Sequence, residues 1–251
     1  MNTGLRKLGL LVVTAALWFA GAALLVPQMA AAKAPKLDPS SCGAGAGPIE
    51  DYCSFVDTGE DVVIAHGSCN GLFSCTGLGN GTRIGHDSCN EGGACQNAGT
   101  SEGSSSIGNG SCNGEAACAD TGFAGGSSSI GNGSCNADGA CRLAGGFDGS
   151  SSSSIGNGSC NGEGACLDAG GLGRSRVNNN SCNGAFACVD AGANGGSSAI
   201  GNGSCNGVEA CGQAGINGSS VIGNRSCNIA NVCASVGISG GNSVIGNNKF
   251  N

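Results

Sequence analysis

The hydrophobic positions of this chain follow a long repeat with one fixed and one variable spacing. An aliphatic residue is followed 15 positions later by a Gly, with a Cys pair between them, in eight successive copies. From that Gly to the next aliphatic residue the spacing varies between 5 and 10 positions. Length variation confined to one segment is typical of stacked coils that share a cross-section. The aliphatic positions are Ile64, Ile84, Ile107, Ile130, Ile155, Val177, Ile200 and Ile222, and a ninth copy begins at Ile245.

The segment before each aliphatic residue predicts a short β-strand. It is small and polar and is bounded by Gly and Asn, as in Ser104–Ile107 and Ser197–Ile200. Units this short and this rich in Gly cannot form a helix pair, whereas strands of about two to four residues between turns match a parallel β-helix. The sequence therefore predicts an all-β fold, a single-stack parallel β-helix (β-solenoid) of eight to nine coils with a disulfide per coil. The aliphatic column is expected to point inward.

Further columns are explained by stacking of like residues on like. Two positions after the aliphatic residue, His66 and His86 are followed by Asn in every later copy, from Asn109 to Asn247. Because Asn and His tolerate positive φ, this column predicts a turn whose amides form hydrogen bonds from coil to coil. A second Asn column follows the first Cys of each pair. The small residue before the closing Gly predicts a thin interior.

All 18 Cys residues lie beyond the N-terminal apolar segment, and an even number indicates a disulfide framework formed on export. Bridges within a unit, such as Cys112 to Cys118, would let each coil close independently, and we favour them. Bridges between coils remain open, because stacked Cα atoms about 4.8 Å apart lie within disulfide range. The predicted bridging residues are Cys42, Cys53, Cys69, Cys75, Cys89, Cys95, Cys112, Cys118, Cys135, Cys141, Cys160, Cys166, Cys182, Cys188, Cys205, Cys211, Cys227 and Cys233.

The N-terminal segment predicts export. Residues 1–32 combine Arg6 and Lys7, an apolar stretch and an Ala-rich cleavage site, as in a signal peptide. The apolar stretch is long enough to span a bilayer, so an uncleaved anchor remains open; after cleavage we expect no stable membrane insertion. Residues 33–47 are predicted to be a linker, 48–61 an N-terminal cap that holds Cys42's partner Cys53, and 62–251 the solenoid.

Composition limits the partners. Without Arg6 and Lys7 the chain has 8 basic and 17 acidic residues, a net charge of −9, which opposes binding of nucleic acid. The sequence predicts no enzyme activity, no cofactor and no metal. The carboxylates that could serve a polysaccharide-active β-helix are Asp120, Asp168 and Asp190, two positions after the second Cys. Arg174 and Arg176 are interpreted as solubilising residues of a variable loop.

Two families resemble parts of this pattern. The C-x5-C pair in each coil, with Ser, Gly and Ala elsewhere, is similar to the disulfide-braced β-solenoid antifreeze proteins of beetles. Those proteins carry a Thr-x-Thr ice-binding ladder, which is missing here because Ser stands at the corresponding positions. The phrases Ser197–Ser204 and Asn242–Asn247 resemble the head repeats of trimeric autotransporter adhesins, which form a parallel β-roll but lack Cys ladders.

The resulting hypothesis is an exported, non-enzymatic structural or binding β-solenoid, secreted or at the cell surface. Its ligand is unknown, with ice or a polysaccharide as the candidates. The two alternatives are an ice-binding protein and a polysaccharide-active enzyme. Exposed Ser or Thr in a column on a flat face would favour ice, and a groove lined by clustered carboxylates would favour the enzyme.

Overall fold

The computed structural model describes residues 36–37, 60–146 and 148–251 of the chain. Ten strands lie in these ranges, and β1 falls within the segment 33–47 that we interpret as a linker. The predicted signal peptide, most of the predicted cap, and Cys42 and Cys53 lie outside the described residues. The strands are β1 (Lys36–Leu37), β2 (Val63–Ile64), β3 (Arg83–Ile84), β4 (Ser104–Ile107), β5 (Ser127–Ile130), β6 (Ser152–Ile155), β7 (Arg174–Val177), β8 (Ser197–Ile200), β9 (Ser219–Ile222) and β10 (Asn242–Ile245).

All ten strands form one parallel sheet in sequence order. Each strand pairs with the next so that equivalent positions of the repeat face each other; Ile107 pairs with Ile130, and Ile130 pairs with Ile155. The rest of each coil returns through turns to start the next strand. The predicted fold class, an all-β β-solenoid with a disulfide in each of eight coils, is confirmed. In the described ranges no helix has the length and apolar character needed to cross a bilayer.

The strands alternate between buried and exposed positions. In β4 and β5 the second and fourth residues are buried and the first and third are exposed. The fourth position is the aliphatic column, and Ile64 to Ile222 along it are at most 3% exposed, which confirms the inward orientation. Ile245, in the last coil, is half-buried. The interior opposite this column is thin, since Ala and Cys supply most of its other apolar side chains.

Disulfides close each coil across this interior. Eight bridges join the two Cys residues of a unit, with Cα–Cα distances of 5.6–5.7 Å, so the predicted within-unit pairing is confirmed. The first Cys of every pair adopts a left-handed backbone conformation, with φ of 58° at Cys112. This conformation costs a non-Gly residue about 1–2 kcal/mol. The bridge therefore holds a backbone turn that Cys would not adopt alone.

Side-chain ladders run along the stack on either side of the first Cys. The backbone N–H of Asn109 donates to Oδ1 of Asn132 at 2.8 Å, and the same bond recurs in later coils, so the predicted amide ladder is confirmed. The accompanying prediction of positive φ in this column is wrong. The predicted turn is present at Asn109, but positive φ falls one residue later, as at Gly110 (62°).

The Ser that precedes each first Cys forms a second, fully buried ladder. The hydroxyl of Ser159 donates to the carbonyl oxygen of Asn178 at 2.9 Å and accepts the N–H of Ser181 at 3.2 Å. The equivalent Ser residues of the other coils make the same pair of contacts. Each hydroxyl thus satisfies two backbone groups of the next coil that the sheet does not reach.

The closing Gly of each unit allows the turn segment to approach the sheet. Gly122 has a φ of 61°, and a Cβ placed there would collide with the carbonyl oxygen of Ser104. Gly110 has nearly the same φ, 62°, but open space around it. Substitution by Ala at Gly110 therefore tests the free-energy cost of the left-handed conformation alone. The same substitution at Gly122 adds the cost of the close contact.

We expect Gly110→Ala to lower the free energy of unfolding by about 1–2 kcal/mol, since only the left-handed conformation is penalised. Gly122→Ala should lower it by more than about 4 kcal/mol, because the added methyl group also forces the coil away from the sheet. Urea unfolding of the oxidised protein measures both. Equal losses would contradict the close approach at Gly122.

The Ser ladder gives a second prediction. Ser159→Ala removes two hydrogen bonds between coils and leaves buried backbone groups unpaired, so it should lower the free energy of unfolding by about 1–3 kcal/mol. Ser153→Ala is the matched control, because the Ser153 hydroxyl is equally buried but has no hydrogen-bond partner among the described residues. The same urea experiment compares the variants, and a control as destabilised as Ser159→Ala would rule out the assigned role.

Candidate functional site

The outward side of the parallel sheet, here called the sheet face, is an exposed surface that extends along the described coils. It consists of the first and third residues of each four-residue strand, together with the equivalent Val63 and Arg83. Adjacent strands lie about 4.8 Å apart, and alternate residues of one strand about 6.7 Å apart. The first column is Ser104, Ser127, Ser152, Arg174, Ser197, Ser219 and Asn242; the second is Val63, Arg83, Ser106, Ser129, Ser154, Arg176, Ala199, Val221 and Val244.

Three consecutive strands place Ser at both outward positions. In β4, β5 and β6 the Ser residues pair in register, which gives six hydroxyls in a two-by-three array. Over these strands the surface dips into a shallow cavity of about 530 Å³ that Gly81 and Arg83 also line. We call β4–β6 on this face the Ser trough. Each hydroxyl can donate and accept a hydrogen bond.

Arginine side chains stand at both ends of the Ser trough. Arg83 is paired with Ser106 at one end, and Arg174 and Arg176 are paired with Ser152 and Ser154 at the other. All three Arg residues are exposed. Their guanidinium groups make no hydrogen bond or ion pair with any residue of the described ranges. The trough therefore has positive charge at each end that no residue of the described ranges neutralises.

The placement of Arg174 and Arg176 corrects the interpretation made from sequence. They do not lie in a variable loop but form the outward positions of β7, with Ser175 and Val177 pointing inward. The spacing to Val177 is the one found in Ser104–Ile107, and this could have identified the strand. The variable segment ends just before the strand, and the two segments have similar compositions. Composition alone therefore does not show where the strand begins.

The three candidate carboxylates lie on the turn segment after the second Cys and not on the sheet. Asp168 and Asp190 occupy the same position of adjacent coils, as the N–H of Asp190 bonds to the residue before Asp168. Asp120 is separated from them by one coil, in which Leu143 occupies this position. The carboxylate of Asp120 accepts a hydrogen bond from the side-chain amide of Asn97 at 3.0 Å. The structure thus brings together two of the three predicted residues.

The pKa values of both carboxyl groups in this pair are raised. Partial burial, and then the charge of Asp190, raise the pKa of Asp168 to about 6. Burial also raises the pKa of Asp190. Oδ1 of Asp168 is buried and has no hydrogen-bond partner among the described residues. A carboxyl group with these properties can hold a proton near neutral pH, but no Arg, Lys or His of the described chain makes a hydrogen bond or ion pair with it.

Three sulfur atoms, those of Cys182, Cys188 and Cys205, lie within 4.8 Å of one another. All three belong to disulfides, because Cys182 is bonded to Cys188 and Cys205 is bonded to Cys211. None is therefore available as a thiolate, which is the form of Cys that binds metals. The cluster reflects the close stacking of bridges in successive coils. His66 and His86 lie in the column that Asn occupies in later coils, where the N–H of His86 bonds to Asn109.

A family model described as a domain of unknown function (DUF7640) matches residues 41–152, fewer than half of the chain's residues. The matched segment contains Cys42 and Cys53 together with the first four Cys pairs, and it ends at the first residue of β6. No curated protein and no solved structure matches the chain.

The raised pKa of Asp168 gives a prediction about stability. Because the folded state binds this proton more tightly than the unfolded state, folding loses stability as the pH rises from about 4 to the folded pKa of about 6. Asp168→Asn should therefore melt at a higher temperature than the parent at pH 7 and at the same temperature at pH 3.5, below both pKa values. Thermal unfolding of the oxidised protein across this pH range measures the difference.

Asp148→Asn is the control of opposite sign. Hydrogen bonds from Ser150 and Ser151 lower the pKa of Asp148, so its charged form stabilises the fold above its unfolded pKa. This variant should melt below the parent at pH 7, and the gap should close as the pH falls through the folded pKa. An Asp168→Asn difference that does not change with pH would contradict the effect assigned to burial and Asp190.

Proposed function

We propose that this chain is an exported, non-enzymatic binding protein, secreted or at the cell surface, and that the sheet face is its binding surface. The observation that carries the proposal is the Ser trough, in which three strands repeat the same outward pair of hydroxyls in register. Eight buried disulfides are typical of an oxidising environment, which supports export. The bridges and the paired backbone make this surface rigid, and a rigid surface loses little entropy on binding.

The trough suits an extended ligand that itself repeats. Hydroxyls at about 4.8 Å along the stack and about 6.7 Å across it can pair with the hydroxyls of a polysaccharide or with ordered water. A compact small molecule would contact only one or two of these pairs. The cavity is also shallow and open, unlike the enclosed sites that hold small ligands. We therefore favour a polymer or a solid surface as the partner.

Ice binding is the second candidate. The exposed Ser columns on the sheet are the feature that favours it. Two features weigh against it. Ser lacks the methyl group of Thr and so offers less apolar surface, and Arg174 and Arg176 interrupt the columns after three strands.

An enzyme acting on polysaccharide has less support. Its candidate carboxylates, Asp168 and Asp190, lie on the turn segment, whereas the Ser trough lies on the sheet. None of the strands contains Asp or Glu within the described ranges. A substrate held in the trough would therefore not meet an acid and a base on the same face, as glycoside hydrolysis requires.

Blocking the trough should abolish binding. Ser129 is exposed at the centre of the array, and Ser129→Tyr would fill it without entering the interior. We expect the oxidised parent to be retained on at least one member of a panel of insoluble neutral and acidic polysaccharides, and Ser129→Tyr to be lost from it. Ser235→Tyr, the same change at an exposed turn residue, should be retained. The measurement is the bound fraction after sedimentation.

Thermal hysteresis of the same proteins tests the second candidate. We expect weak or no hysteresis from the parent. Strong hysteresis that disappears in Ser129→Tyr would assign the sheet face to ice instead. Retention that is equal in Ser129→Tyr and Ser235→Tyr, or no retention on any polysaccharide, would overturn the proposed binding surface.

A further inference from the structure

Charge is distributed unevenly over this acidic chain. Residues 60–146 and 148–251 contain six Arg and Lys residues, and three of them, Arg83, Arg174 and Arg176, lie on the sheet face. The same strands contain no Asp or Glu among the described residues, although the chain has 17 acidic residues. The described acidic side chains are therefore on the turns, and the described part of the sheet face carries positive charge although the full chain has a net charge of −7.

The Arg residues are spaced along the stack in a way that suits a long anion. β3 and β7 are four strand steps apart, about 19 Å at about 4.8 Å per step. Between them lies the Ser trough, which is polar, uncharged and recessed. A chain lying across the strands would meet a guanidinium at each end of the trough and hydroxyls between them. Arg recognises carboxylate and sulfate groups through two parallel hydrogen bonds, which Lys cannot form.

We infer that the sheet face binds an acidic polysaccharide, which lies along the stack with anionic groups at Arg83 and at Arg174 and Arg176, and with sugar hydroxyls over the Ser trough. This inference rests on the proposed function and specifies the ligand class. The hydroxyl array matches the polar edges of sugar rings, and the Arg residues supply the attraction that a neutral polysaccharide would not receive. The charged ends also set the direction and extent of the bound segment.

Nucleic acid is a poorer match for the same surface. Duplex DNA carries one charge per about 1.7 Å of axis, so a segment of this length would bring many phosphates to three Arg residues on an acidic protein. Single strands are held largely by bases stacked on aromatic side chains. The described strands contain no Phe, Tyr, Trp or His. The sheet face thus offers sparse charge and many hydroxyls, which is the pattern of an acidic polysaccharide.

The test removes charge without changing the fold. Arg174→Ser with Arg176→Ser gives β7 the sequence Ser-Ser-Ser-Val, which is nearly the sequence of β4 to β6. Arg142→Ser with Arg225→Ser is the matched control, since it removes two exposed Arg residues that lie on turns. The probes are polygalacturonate, heparin, a neutral glucan of similar length and single-stranded DNA. Affinity is measured by biolayer interferometry with the oxidised full chain.

We expect at least one of the two acidic polysaccharides to bind more tightly than the glucan and the DNA at about 0.05 M salt. The β7 double variant should weaken this binding about tenfold or more, the control by less than about twofold, and Arg83→Ser should also weaken it. Raising the salt to about 0.5 M should weaken the parent more than the β7 variant.

Other outcomes overturn the inference in distinguishable ways. Tight binding of neutral glucan that Ser129→Tyr abolishes and the β7 variant leaves intact would retain the proposed binding face and reject the acidic ligand. DNA binding tighter than either polysaccharide would reject it in favour of nucleic acid. Equal losses of affinity in the β7 variant and the turn control would show that binding depends on the net charge of the protein and not on the Arg residues of the sheet face. Binding of no probe, together with no retention on the insoluble panel, would reject both.

Discussion

The fold depends on one constraint: each position of the repeat lies against its own copy in the next coil, at the spacing of a parallel sheet. A residue type is therefore acceptable only if it can stack on itself. Ile packs on Ile, the Ser hydroxyl bonds to the backbone beside the next Ser, and the Asn amide bonds to the backbone of the preceding Asn. Asp168 and Asp190 break this rule, and burial, followed by the charge of Asp190, raises the pKa of Asp168 to about 6.

The disulfides are needed because each stacked coil has a thin interior. A coil whose interior holds one aliphatic residue and several Ala residues buries little apolar surface, so covalent bridges must supply stability that a larger core would provide. The bridges also fix the first Cys of each pair in the left-handed conformation, and so define where the coil turns. Stability and shape are in this way tied to the oxidation state of the protein.

Much of the fold could be predicted because several positions of the repeat have the same residue type in almost every coil, and each of these residue types suits one structural role. A fixed spacing to Cys and Gly identified the coil, and the Ile column identified the inward face. The candidate site could not be predicted because strands such as Ser104–Ile107 carry no alternation of hydropathy. Ser105 is buried and Ser104 and Ser106 are exposed, yet the three residues are identical. Only the pairing of strands shows which hydroxyls form one surface, although the spacing to Val177 could have placed Arg174 and Arg176 on a strand.

The outward positions of the strands can change their side chains although the coil stays the same. Inward positions, by contrast, are restricted to small or aliphatic residues. The outward positions of the strands vary from Ser in β4–β6 to Arg in β7 and to Ala or Val in β8–β10. Because each strand adds its pair of side chains without altering the coil, the surface can differ along its length while the backbone stays regular. A fold built on uniform repetition can therefore encode binding specificity strand by strand on this face. The Arg residues at the two ends of the Ser trough, whose guanidinium groups have no partner among the described residues, are one example of such a difference between strands.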